Sequence, residues 1–307
     1  MKRRDFVSTI GAGLVGSFMP PPPPPKRLRF VERWSWVMGQ AVHVMVYAES
    51  DDLGLEACAK ALAELRRLEG VFSVFDDASE LCELNRCAGK RTLKASRDLW
   101  QAVYQADVFR KFTAGAFHPA VEPLMRVWGF HHSRHHAMPS PAELAAAREA
   151  VATATVKLSG VQSLSLPNSH TRLDLGGMAV GFAIDGSRLA FSDPGIHSAF
   201  IDVSGDCYGL GAPPGESDGW PVRIAGSTRV VRLRNSALAT SSNLKSVIEI
   251  EGRILGHVMD PARGCPVDTK RQVTQLASAA VLADYLSTAA LVTGRGYDHL
   301  WPTYFTE

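Results

Sequence analysis

The sequence has little cysteine, little net charge and no long apolar run. Five cysteines, Cys58, Cys82, Cys87, Cys207 and Cys265, are scattered through 307 residues. No Cys-x-x-Cys pair exists, which argues against a zinc site and against a disulfide framework. Cys82 and Cys87 can pair only if the chain between them turns back, so free thiols are expected. The formal net charge is +2, with no basic stripe interleaved with aromatics, so nucleic acid is not an expected partner. The paired glycines Gly176-Gly177 match neither Gly-x-Gly-x-x-Gly nor the P-loop pattern, and no repeat of fixed period appears. The apolar run Val7–Met19 is too short and too mild to span a bilayer comfortably.

What is present is an ordinary globular composition, 46% hydrophobic and 21% charged, in a chain long enough for one large domain. Its start is distinctive. Lys2-Arg3-Arg4 precedes the uncharged Val7–Met19 stretch, and paired arginines before a modest apolar segment match a twin-arginine export signal. Residues 1–19 are therefore read as an export signal, and 20–30, with the run Pro20 to Pro25, as an extended proline-rich linker. The fold is expected over 31–307. No clear small-x-small cleavage site follows the signal. The expected location is thus the periplasm, or the periplasmic face of the inner membrane, with membrane contact only through an uncleaved N-terminal segment.

Periodicity organises the remainder. A strand is expected over Gln40–Ala48, and an amphipathic helix over Leu53–Leu68. A short helix capped by Asp77 or Ser79 comes next, then one capped by Ser96 and running to about Phe112. Thr113–Pro119 is a loop of small residues that lets a ligand approach the backbone. Trp128 and Phe130 are expected in the core. His131-His132-Ser133-Arg134-His135-His136 has metal-binding residue types but no partner carboxylates, and reads as a solvated loop. Ser140-Pro141-Ala142-Glu143 is a capping box opening a helix to about Val151. Strands are expected at Thr155–Leu158 and Ser163–Leu166. Another is expected to end at Gly176-Gly177, where a helix begins and bare amides favour a phosphate. Further strands fall at Ala199–Val203, Pro221–Ala225, Val230–Leu233, Ala237–Thr240, Ser246–Ile250 and Gln272–Leu276.

The stretch Val281–Val292 carries apolar residues at helical spacing. Asp284 and Thr288, four apart, project from one face with Ser287 beside them. Three hard oxygen donors suit Mg²⁺, which completes its shell with waters or substrate phosphates. The plainer alternative is that the hydroxyls bond back to the preceding turn and Asp284 caps the helix near its start.

Several short segments recur in an order that resembles the ApbE family, the FAD:protein FMN transferases. They are Met38-Gly39, Phe72-Ser73 to Leu84-Asn85, Gly115-Ala116-Phe117 with Pro119, and Asp174-Leu175-Gly176-Gly177. Ser204-Gly205-Asp206, Ala239-Thr240-Ser241, His257-Val258-Met259-Asp260-Pro261 with Gly264-Cys265-Pro266, and Ala283-Asp284 to Thr288-Ala289 complete the set. The resemblance runs from about residue 35 to about 295. It implies an α+β fold of mixed, largely antiparallel sheets with packed helices, and an FAD cleft between two sub-regions. It also implies Mg²⁺-dependent transfer of FMN from FAD to a Thr or Ser of an acceptor protein, releasing AMP.

By that resemblance Asp284, Ser287 and Thr288 hold Mg²⁺ with the backbone carbonyl of Gly177. Met38, Phe75, Ala116, Phe117, His118, Asp174, Val180 and Val258 belong to the FAD site. His257 is the base that activates the acceptor hydroxyl. Phe75 stands where the family often has Tyr, keeping an aromatic face without the hydroxyl. Val180 replaces a Lys, His118 an Asp, and Ala120 a Thr. One expectation is that His118 partly restores the missing cation. Two other activities share the same site: FAD binding with little or no transfer, and Mg²⁺-dependent FAD pyrophosphatase, with water in the acceptor's place. A closing strand after Gly294 is expected to be short or absent.

Overall fold

The structure is a computed structural model that describes residues 27–131, 137–244 and 246–306. Chain order runs β1 (Arg29–Val37), β2 (Gln40–Ala48), α1 (Asp51–Phe72), α2 (Glu80–Arg86), β3 (Leu93–Lys94), α3 (Arg97–Phe112), α4 (Glu122–Val127), α5 (Pro141–Ala152), β4 (Lys157–Ser159), β5 (Ser163–Ser165) and α6 (Gly176–Ser187). A 3₁₀ turn at Arg188–Phe191 leads to β6 (Ile196–Val203), β7 (Asp206–Leu210), β8 (Trp220–Arg223), β9 (Val230–Leu233), β10 (Ser236–Ser242), β11 (Val247–Ile250), β12 (Arg253–Gly256), β13 (Met259–Asp260), β14 (Cys265–Pro266), β15 (Gln272–Ala277), α7 (Ala280–Thr293) and β16 (Thr303–Thr306).

Seven strands form one sheet in the order β1-β2-β6-β7-β10-β15-β16, with every neighbouring pair antiparallel. The N- and C-terminal thirds of the chain thus lie in one layer, and the small sheets stand apart from it. On one face α1 packs against β1 and β2, α7 against β10 and β15, and α6 lies between the two helices. Val42, Val44, Val46, Leu65, Met178, Ile184, Ile201 and Ala289 fill the space between sheet and helices. The β8–β9 hairpin covers part of the other face through Phe200, Trp220, Leu233 and Leu238. A satellite core joins α4 and α5 to Ile250 and Met259.

Local signals explain the helices. Ser50, Ser79 and Ser96 each accept a backbone N–H at the start of α1, α2 and α3, and Ser140 with Glu143 forms the full capping box of α5.

Two expectations need correcting. β1 was not foreseen, and it begins at Arg29, inside the stretch assigned to the linker. It is joined to β2 by the two-residue turn Met38-Gly39, both with positive φ (55° and 68°), as a type I′ hairpin turn requires. The strand expected before Gly176 is not formed. There the Asn85 side chain stands in for a neighbouring strand: Leu173 N–H donates to its oxygen at 2.7 Å and its amide donates to Leu173 C=O at 2.9 Å. All five cysteines are free, as expected. β16 is a four-residue edge strand, the short closing strand anticipated from the sequence.

Candidate active site

The site is organised by the crossing of α6 and α7. α7 has no cap of its own. Asp185, near the end of α6, takes that role from outside, accepting Ala280 N–H at 3.0 Å and Val281 N–H at 2.9 Å. The two helices touch at Gly181, where an added Cβ would stand 2.4 Å from the Ala280 carbonyl oxygen. That contact lets the Asp284 carboxylate accept the Gly181 N–H at 2.9 Å. An α-helix assigns this same N–H to the carbonyl of Gly177, so Asp284 competes with Gly177 for its donor. Gly177 lies directly over the next turn of α7: a Cβ there would sit 3.3 Å from Thr288 Oγ1 and from the Phe117 ring.

The hydroxyls are linked. Ser287 Oγ donates to the Asp284 carbonyl at 2.8 Å, the back-bond of the plainer reading. Ser241 Oγ, on β10, lies 2.8 Å from Ser287 Oγ and 3.1 Å from Thr288 Oγ1. Asp284 itself is buried. Burial and then the charge of Asp206 push its carboxyl well above the usual range, against the Gly181 N–H, which favours the anion. Asp206, opening β7, is oriented by Thr240 N–H at 2.9 Å. Opposed carboxyls beside hydroxyls and a helix-start carbonyl suit a hard divalent cation. Among the described residues no group of three or more His, Cys, Asp or Glu could hold a metal. The set is therefore sparse and of the type that Mg²⁺ completes with waters or phosphates.

A second cluster lies at the other side of Gly176-Gly177. Asp174 accepts Gly176 N–H at 2.7 Å and faces His131 Nε2 at 3.2 Å. Burial raises its pKa, but His131, Gly176 N–H and the more distant His257 outweigh this and hold it below the ordinary value. His131 is 2% exposed on its side chain, so it is not part of a solvated loop. The other residues of the His-rich stretch, 132–136, lie outside the described residues. The Phe75 ring, 66% exposed, is 5.2 Å from the His131 ring. His257 follows β12, with its backbone N–H on Ser246 C=O at 3.1 Å. Burial pulls its pKa down, with Asp174 opposing. Its Nδ1 is buried without a hydrogen-bond partner among the described residues. A neutral imidazole with a spare nitrogen is what a general base requires. A cavity of about 820 Å³, lined by Glu122, Arg126, His131, Glu143, His170 and Arg172 among others, reaches this cluster only through His131.

The other expected residues divide. Met38 sits partly buried at its strained turn, and Ala116 is likewise partly buried. The Phe117 ring is enclosed by Phe109 and Tyr285, so it supports Gly177 and offers no open face. Val180 is packed in the main core and Val258 in a small cluster with Val273, Ala290 and Leu291. His118 does not supply the missing cation. Burial, then the neighbouring Arg110, drives its pKa down to about 4, and its Nδ1 accepts Ala120 N–H at 3.1 Å, which requires the unprotonated nitrogen. The sequence reading missed Ser241, Asp206, Asp185 and His131 as site residues. The first two stood inside motifs already singled out and His131 opened the His-rich stretch read as a solvated loop, whereas nothing adjacent in sequence marked Asp185.

Fold and site together define an α+β protein with a sparse oxygen-donor pocket beside a buried His–Asp cluster. The chain belongs to the ApbE family, whose model matches residues 38–300. An FAD:protein FMN transferase of Treponema pallidum is 28% identical, over 87% of this chain and 80% of that protein. One from Haemophilus influenzae is 26% identical over 84% and 79%. The solved ApbE protein of Thermotoga maritima superposes with a TM-score of 0.79 at 25% identity, covering 88% of this chain and 89% of its own. The apo flavinyl transferase ApbE of Pseudomonas stutzeri shares the fold, with a TM-score of 0.78 and coverage of 91% for both chains.

Proposed function

We propose that this chain transfers FMN from FAD to a Thr or Ser side chain of an acceptor protein, with Mg²⁺, in the cell envelope. The supporting observation is the convergence of Asp284, Ser287, Thr288, Ser241 and the Gly177 backbone at the α6–α7 crossing. In the reaction the acceptor oxygen forms a bond to the FMN phosphorus, the bond from that phosphorus to the bridging oxygen breaks, and AMP leaves. Phosphoryl transfer of this kind depends on charge neutralisation and positioning more than on covalent chemistry from the protein. Asp284 and Thr288 would hold the cation, which would supply that neutralisation.

The chain's own residues do the rest. At the α6 N-terminus Asp174 holds the Gly176 N–H and Leu175 C=O holds those of Met178 and Ala179, so Gly177 is the amide that faces phosphate. Exposed Phe75 offers a stacking face. His257 takes the acceptor proton, its depressed pKa keeping it unprotonated at neutral pH. Asp174, held ionised by His131, stabilises the imidazolium that results.

Val180 and neutral His118 leave no cation at the position of the family lysine, which keeps the two weaker activities in play. Incubation with FAD, Mg²⁺ and an acceptor bearing a flavinylation threonine separates them. Covalent flavin fluorescence on the acceptor is the expected result. Bound FAD without turnover, or free FMN with unlabelled acceptor, overturns it. Export by the twin-arginine route is tested separately by fractionating cells.

A further inference from the structure

We propose that the outer face of β1 is a membrane-contact surface that seats on an anionic phospholipid bilayer. β1 is an edge strand, and its alternate residues part cleanly. Val31 and Val37 are buried on the α1 side, where Ser35 also accepts from Arg66 of α1. Phe30, Trp34 and Trp36 point the other way and are 47%, 66% and 71% exposed. The β8–β9 hairpin covers the neighbouring part of this face at Trp220, which touches Tyr47, yet leaves the three rings open.

They are held in place by their neighbours. Trp34 stacks on His43 at 3.7 Å, His43 is fixed by Glu32 at 2.7 Å, and Phe30 rests on Tyr47 at 5.0 Å. The stripe from Phe30 to Trp36 is roughly 20 Å long at strand rise. Tryptophan and phenylalanine set on such a stripe suit the boundary between headgroups and acyl chains.

The choice of occupant follows from where the described chain begins. Before β1 stand Lys26-Arg27-Leu28, then Pro20 to Pro25, and before them the uncharged Val7–Met19. Six prolines span at most about 19 Å, so a bilayer that holds Val7–Met19 also lies within reach of β1. Lys26 and Arg27 lie just before the strand in sequence, and Arg29 and Arg33, exposed on the alternate side of β1 from the rings, flank the same sheet edge. These four cations match an anionic surface, with Glu32 on the ring face paired to His43. This rests on the envelope reading of residues 1–26 but not on the transfer chemistry. It would present the Met38 end of the hairpin to acceptors attached to the same bilayer.

The test uses the full chain with vesicles of phosphatidylcholine and phosphatidylglycerol carrying brominated acyl chains. Co-sedimentation with quenching of tryptophan emission is expected. Trp34→Ser with Trp36→Ser should weaken binding at least about tenfold and remove the quenching, with labelling of a soluble acceptor unchanged. Vesicle binding without quenching, and equal in the variant, overturns the proposal in favour of the leader alone. A lipid-free dimer that the double variant dissolves overturns it in favour of a second copy. Lost acceptor labelling with unchanged vesicle binding assigns the face to the acceptor and also overturns it. Cell fractionation reads the targeting assumption independently of the vesicle result.

Discussion

At the scale of single residues, the site works by placing groups where their ionisation is decided by burial. His118 shows the sign clearly. Its ordinary pKa of 6.5 falls to about 4 in the fold. Stability from keeping it neutral is therefore complete above pH 6.5 and is lost as pH falls toward 4. By linkage, lowering the pH from 7 to 5 should cost about 2 kcal/mol through this group. His118→Asn should flatten that limb, as read by urea unfolding of both proteins at the two pH values. Ser241 offers a different kind of test. Its hydroxyl touches both Ser287 and Thr288 and, on the proposed reading, would set their orientation from outside the shell of the ion. Loss of such a contact weakens metal affinity by roughly ten- to a hundredfold. Ser241→Ala should show this in a Mg²⁺ titration with FAD present, while unfolding without metal changes by only about 1 kcal/mol.

At the scale of elements, the α6–α7 crossing positions every oxygen donor on the helix. Gly181 permits the approach, because a methyl there would meet the Ala280 carbonyl. Gly181→Ala should destabilise the protein by about 1–3 kcal/mol as the helices move apart, and should weaken the Asp284 bond to position 181. Thermal unfolding with and without Mg²⁺ and FAD reads both effects. The helices themselves were legible in the sequence, since serine caps and apolar spacing are local signals. The sheet was less so. β1 escaped notice because its outward residues are aromatic and charged, and that pattern does not alternate as a half-buried strand does. Arg172–Leu175 looked like a strand because Leu173 and Leu175 are buried, yet its partner is one asparagine side chain from α2. His131 reads as solvated from the sequence because its partner, Asp174, is far away along the chain. That Asp284, Ser287 and Thr288 share one face of α7 was readable from spacing, which left their role open. Its supports, Asp185, Asp206 and Ser241, come from distant segments, and only the fold brings them together.

At the scale of the whole molecule, the site joins distant parts of one layer: β7, β10, and the helices α6 and α7 that rest on the sheet. Binding there should therefore stabilise the fold globally. Asp284 gives this a sign that can be checked. Burial and Asp206 raise its pKa, so without a cation this carboxyl costs stability at neutral pH relative to a neutral side chain. That cost begins to shrink as pH falls below the folded value and is gone only below the ordinary carboxyl value of 3.8. Asp284→Asn removes the buried charge and keeps an oxygen for the Gly181 N–H. Without Mg²⁺ and FAD the variant should be more stable than the parent at pH 7, with the difference closing in acid. With both present the order should reverse. The parent gains about 2.7 kcal/mol at a hundredfold excess of ligand over its dissociation constant, whereas the variant gains little. Differential scanning calorimetry across pH, with and without chelator, follows both halves. A variant that is less stable in every condition would mean that Asp284 serves the packing of α7 on α6, and that the cation is held elsewhere.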